Sequence, residues 1–211
     1  MQQVKNKKNT YNFSFTAGAL LHAETMLVTN IFIETLSWDR TKEKIIEDNL
    51  LRTRTKSSSQ RLFREVSMRL FNLHEKTLEL LHNLSDETLQ KQIIWISICK
   101  TYPFISDFMS EVIQEKIDVL DYTLTFDDYD CFFNKKAQWH SEVDHLSPST
   151  QRKVRQVIFR MFKEMDFLSD ENTMLPLLTI DDSLVRALEI EQLNLRGAFP
   201  SIQRAMEEVH A

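Results

Sequence analysis

Arg52, Arg54, Lys56, Arg61, Arg64 and Arg69 fall within one stretch that holds a single acid, Glu65. Side chains of this kind neutralise phosphates, so DNA or RNA is the first partner to consider. A second stretch, Thr150 to Lys163, carries Arg152, Lys153, Arg155, Arg160 and Lys163 with no acid at all. Together the two stretches hold +10 in a chain of net charge −5, so the remaining residues hold −15. Charge segregated on that scale predicts an anionic partner met by two local surfaces. Ser58 and Gln156 stand with the basic side chains as candidate contacts. No Asn, Gln and Arg set is aimed at base edges, so the expected binding is electrostatic and weakly selective for sequence.

Other chemistries find little support. The chain has no CxxC and no HExxH. His140 and His145 are five apart and diverge on a helix, while His74 and His82 share a face two turns apart, too far for one ion. Asp127, Asp128 and Asp130 lack the spacing and turn glycine of a calcium loop, and capping of a helix accounts for them better. No serine sits in a GxSxG elbow, and the chain lacks the glycines of a phosphate-cradling loop. Groups far apart in sequence can still converge in space. The expectation is nonetheless a non-enzyme with no catalytic residue, no metal and no cofactor.

The elements that must position the basic residues read as helices. The 211 residues include only 2 Gly and 4 Pro, which disfavours turn-rich β architectures. A 42% hydrophobic content is enough for a core without metal or disulfide staples. Cys99 and Cys131 sit in apolar-rich stretches and read as buried thiols in a reducing cytoplasm. The basic N-terminus has no apolar segment before a cleavage site, so it is a poor signal peptide. The stretch Phe15 to Ile33 is broken by His22, Glu24, Thr25 and Asn30, which makes it a core helix rather than a membrane span.

That first helix is expected from about Ser14 or Thr16 to Thr35. Ser37 can cap a second, and a third runs from about Ser58 to Asn72. On the third, Leu62, Val66, Leu70 and Leu73 form an apolar stripe, with Arg61, Arg64 and Met68 opposite. A helix, a basic connector and an amphipathic helix with a basic outer face are compatible with a helix-turn-helix, although the connector is long for one. Arginines on an amphipathic helix also make an ordinary solvated face. Helices at about Glu75 to Asn83, Asp86 to Tyr102 and Phe104 to Leu120 follow, with a break forced by Pro103. Thr125 and Ser147 can cap two more. After Ser147, Val154, Val157, Ile158, Met161 and Met165 point inward, while Arg152, Gln156, Arg160 and Lys163 gather outside. Phe167 to Leu178 reads as a small hairpin, the ending of a winged-helix module. Thr179 and Asp181 can start a further helix, and a short one follows Gly197 and Pro200. The fold class is all-α: a multi-helix bundle with a helix-turn-helix-like N-terminal unit, residues 1–122, and a small winged-helix-like C-terminal element, residues 123–211. The alternative is that the two form one compact domain.

The opening Tyr11-Asn-Phe-Ser-Phe-Thr-Ala-Gly-Ala-Leu-Leu, with Glu24 after it, resembles that of the BrxA family of BREX bacteriophage-defence systems. In order along the chain, the resemblance continues through Trp38, Asn49-Leu50-Leu51, Arg54 with Ser57 to Arg61, Asp107-Phe108 to Lys116, and Ser149-Thr150 with Lys153 and Gln156. It extends from Tyr11 to about Leu188. It implies an all-helical, non-enzymatic, nucleic-acid-binding accessory of a multi-protein system that blocks phage replication and methylates host DNA. Duplex DNA and other BREX subunits are the implied partners, with no membrane. Two rival readings stay open: an RNA-binding helical protein, and a protein scaffold whose basic faces dock acidic subunits.

Overall fold

A computed structural model of the chain describes residues 10–175, 181–192 and 198–199. A 3₁₀ turn at Ser14–Ala17 is followed by helices α1 (His22–Thr35), α2 (Trp38–Glu47), α3 (Lys56–Phe71), α4 (Glu75–Asn83) and α5 (Glu87–Thr101). Then come α6 (Pro103–Phe108), a π turn at Met109–Ile113, α7 (Gln114–Asp118), α8 (Phe126–Ala137), α9 (Ser141–Asp144), α10 (Pro148–Glu164) and α11 (Asp182–Glu191). The protein is all-α.

Hydroxyl and carboxyl caps set most of the starts. Ser37, Thr55, Asp86, Thr125, Ser147 and Asp181 each accept a backbone N–H of the following first turn. At α8 the cap is reciprocal, because Asp128 returns a bond to the Thr125 backbone. Pro103 and Pro148 stand in first turns, where the missing N–H costs nothing.

Helix α1 packs on α2, α3 and α4, and α11 covers α4 and α5. The core is one continuous cluster. Aromatic rings carry it from the first half of the chain into the second. Phe104 meets Tyr11, Phe13 and Phe132 edge-on, and Phe108 stacks parallel to Phe162 at 6.1 Å.

Four expectations change. The first helix is interrupted: the chain leaves the 3₁₀ turn at an extended Gly18 and enters α1 through Leu21 in the left-handed region, φ 57°. The carbonyls of Gly18, Ala19 and Leu20 are bonded by a side chain of α3 instead of by the next helical turn. The inner stripe of α3 is Phe63, Val66 and Leu70 with Leu73 beyond it, whereas Leu62 is only half-buried and Met68 packs against the core. Cys99 is buried, but Cys131 is exposed on α8. The hairpin shrinks to isolated antiparallel bridges, Leu168 to Met174 and Thr123 to Thr173, and no strand occurs among the described residues. The expected helix after Gly197 and Pro200 lies outside those residues.

Candidate nucleic-acid interface

Helix α3 begins two residues earlier than its pattern indicates, so Lys56 and Ser58 belong to its first turn. Arg52 and Arg54 sit in the connector before it. That connector is built by Asn49, whose side-chain amide donates to the Thr53 carbonyl and accepts the Thr53 N–H, both at 3.1 Å. The same bend holds Arg52 at φ 50°, a left-handed conformation unusual for a residue with a Cβ. Arg52, Arg54, Lys56, Arg61 and Arg64 are all exposed, and none has a side-chain ion pair or hydrogen bond among the described residues. Ser58 is exposed and its hydroxyl accepts from Thr55 at 2.8 Å.

Arg69, the sixth basic residue of that run, does not belong to this surface. It is 0% exposed. Its Nε and Nη2 donate to one oxygen of Glu65 at 3.0 and 2.8 Å. The rest of the guanidinium serves the carbonyls of Gly18, Ala19 and Leu20 at 3.2, 2.9 and 3.1 Å. Tyr102 donates its hydroxyl to the same Glu65 oxygen, and burial pushes that phenol well above its ordinary pKa, so it stays a donor. The first surface therefore offers five charges without a partner among the described residues.

The second run behaves differently. Arg152 and Lys153 are exposed and without a side-chain partner among the described residues. Arg155 donates to Asp130 at 2.6 Å and lies 4.5 Å over the Phe126 ring. Arg160 pairs with Glu164 at 2.7 Å, and Lys163 reaches the Asp170 carboxylate at 3.6 Å and its carbonyl at 3.2 Å. Gln156 is exposed between them, and Phe159, which falls on the same side of the helix by spacing, is buried edge-on against Phe126. Sequence alone gives the two runs equal weight because ion pairing with Asp130 and Asp170 is invisible in it. Among the described residues the structure leaves two free charges on α10 against five around α3.

The two surfaces share a local design. Both α3 and α10 start on a hydroxyl cap, have no acid in the first turn, and present cations within the next turns. A helix start is the positive end of its dipole, so acid there would be the usual complement. Leaving it out keeps that end available to an outside anion.

A family model described as BrxA matches residues 9–192. The chain belongs to the BrxA family. It is similar to a protein described as BREX protein BrxA from Bacillus cereus (strain H3081.97), with 29% identity over 180 residues, 83% of this chain and 89% of the relative. It also shares its fold with an uncharacterized protein from Magnetospirillum magneticum solved by crystallography. The TM-score there is 0.70 at 17% identity, covering 91% of this chain and 97% of the other.

In this BrxA-family chain the opening Tyr11–Leu21 segment ties the two basic helices together. Its 3₁₀ turn packs against both α3 and α10. The Leu20 carbonyl receives Arg69 from α3, and the Leu20 N–H donates to Glu164 of α10 at 2.8 Å. Upstream, the Tyr11 N–H donates to Glu142 at 2.9 Å, and its hydroxyl donates to Asp107 at 2.5 Å. Lys136 bonds that Asp107 and Glu111, both at 2.6 Å. Burial and the Asp107 bond together push the Tyr11 hydroxyl up to about 12.

The sequence reading passes over one exposed feature beside the first surface: Phe71, at the C-terminal end of α3, is 60% exposed and packs on Trp38 at 4.4 Å. Helical spacing from Arg64 was the signal that could have found it. Among the described residues no group of three His, Cys, Asp or Glu side chains could hold a metal ion, and no helix is long and apolar enough to cross a membrane.

Proposed function

We propose that this protein is a non-enzymatic, DNA-binding accessory of a BREX phage-defence system, acting in the cytoplasm and engaging duplex DNA chiefly through α3 and the connector before it. One observation carries the reading. Arg52, Arg54, Lys56, Arg61 and Arg64 stand exposed without a side-chain partner among the described residues, on a chain of net charge −5. A folded acidic protein has carboxylates enough to pair them, as it pairs Lys91, Lys116 and Lys136 elsewhere. Keeping five cations apart from that supply is what phosphate binding requires. Arg152 and Lys153 supply a smaller second contact. Kinship with a protein described as BREX protein BrxA supports the defence setting.

A second reading draws on a different surface. Val119, Leu120, Tyr122 and Phe126 are exposed apolar side chains grouped within one short stretch before and at the start of α8. Such a group suits contact with another subunit of the system.

The deciding experiment titrates purified protein against labelled duplex DNA at several salt concentrations. Five phosphate contacts predict a log–log salt slope of about −4.5, since each adds about 0.9. Structured RNA of matched length serves as competitor. Salt-independent binding, no binding, or a clear preference for RNA would each remove the duplex reading.

A further inference from the structure

We propose that Phe71 is a base-stacking platform, and that the α3 surface therefore binds DNA carrying unpaired bases more tightly than a fully paired duplex. The inference rests on the nucleic-acid reading above and adds the structural class of the DNA to it.

Arg61, Arg64, Met68 and Phe71 follow one another at spacings of three, four and three along α3, which places them in one row. Arg64 and Phe71 are two turns apart, about 10 Å along the axis. That length matches roughly three base steps of 3.4 Å. A strand whose phosphates rest on the two arginines therefore carries its next bases over Phe71.

The ring is held ready for such a base. Phe32 stacks on Trp38 with centroids 4.1 Å apart and planes 22° apart, and Phe71 lies on Trp38 at 4.4 Å and 32°. Phe32 and Trp38 are half-buried and packed on the core, so the column is anchored at its inner end. Phe71 closes the outer end at 60% exposure. In the interior of a paired duplex the base faces already lie against one another, so away from the ends only an unpaired base can stack on an outside ring. Free arginines along the same row select a polyanion over a neutral apolar partner.

Fluorescence anisotropy on two DNAs tests this: a blunt duplex, and the same sequence with a central single-stranded gap holding 2-aminopurine. Stacking of one base on an aromatic side chain predicts that wild type prefers the gapped DNA by roughly tenfold. Quenching of the 2-aminopurine should accompany binding. Phe71→Ala should abolish both the preference and the quenching while leaving blunt-duplex affinity within about twofold. Phe71→Trp should retain them. Arg61→Glu with Arg64→Glu should weaken both DNAs alike. The exposed ring makes Phe71→Ala safe for folding; should its circular dichroism collapse, Phe71→Leu keeps an apolar contact on Trp38 without a flat aromatic face and serves instead. Equal wild-type affinity for the two DNAs, or a gap preference that survives loss of the aromatic ring, overturns the platform and leaves the DNA reading intact. Failure of wild type to bind either DNA overturns both.

Discussion

Arg69 and Glu164 hold opposite faces of a single residue. Arg69 donates to the Leu20 carbonyl at 3.1 Å, and Glu164 accepts the Leu20 N–H at 2.8 Å. One belongs to α3 and the other to α10, the two helices that carry the basic runs. The geometry between those surfaces is therefore set through one backbone position of the opening segment.

That arrangement predicts an asymmetric response to mutation. Arg69→Met leaves Glu65 buried without its cation and strips three carbonyls of their donor. The expected loss is about 3–5 kcal/mol, read from urea denaturation. Glu164→Ala removes one amide acceptor at a partly exposed site, and about 1 kcal/mol should be lost. A cost under about 1 kcal/mol for Arg69→Met would show that the clamp is incidental.

Much of this fold is legible in the sequence because its caps are local. Ser37, Thr125, Ser147 and Asp181 are read correctly from a hydroxyl or carboxyl before an apolar-periodic run. The break before α1 is not legible that way. It exists because Arg69, about fifty residues downstream, supplies donors to carbonyls that would otherwise need a continuing helix. Arg69 also shows where charge counting fails, since sequence cannot separate a cation facing phosphate from one closed inside the core. For the same reason sequence ranks Arg155, Arg160 and Lys163 equally with Arg61 and Arg64. Their acids, Asp130, Glu164 and Asp170, lie outside the basic run itself.

DNA affinity should follow that difference in pairing. Replacing Arg61 and Arg64 together with Ala should reduce the salt slope by roughly 1.8, since each phosphate contact contributes about 0.9. Replacing Arg160 and Lys163 should change it much less, because both already have an acid within the fold. The same anisotropy titrations compare the two pairs. Equal losses from both would mean that the α10 ion pairs open on binding.

Arg52 offers a way to separate charge from stability. Its left-handed backbone, φ 50°, costs an L-residue roughly 1–2 kcal/mol, and glycine would relieve that while adding flexibility to the unfolded chain. Arg52→Gly should therefore keep or slightly raise the melting temperature while weakening DNA binding. A large drop in stability would point to an Arg52 contact essential to the connector.

The core side of α1 is narrower than its composition implies. Val28 is 0% exposed, whereas Leu27 is only partly buried and rests on the edge of the core. Val28→Asp should therefore cost several kcal/mol or abolish soluble expression, and Leu27→Asp should be distinctly milder. Thermal melts of the two variants decide the order, and the reverse order would displace the register assigned to α1.

Acid should loosen the second half of the chain through two carboxylates. Burial raises the Asp128 pKa, but the Thr125 amide at 2.7 Å, the Thr125 hydroxyl and Lys116 outweigh it and hold the group below its ordinary value. Glu142 is likewise depressed: burial opposes ionisation, and the Tyr11 N–H and the His140 ring overcome it. A depressed folded-state value means the unfolded chain takes up protons first as pH falls. The stabilisation is thus complete above the unfolded values, about 4, and drains away as pH drops through the lower folded ones. Asp128→Asn should lose about 1 kcal/mol at neutral pH, because the capping box is weakened. Its stability should then fall less steeply than that of wild type below about pH 4. Urea unfolding across that range measures both slopes, and an unchanged acid limb in the variant would show that Asp128 contributes nothing to it.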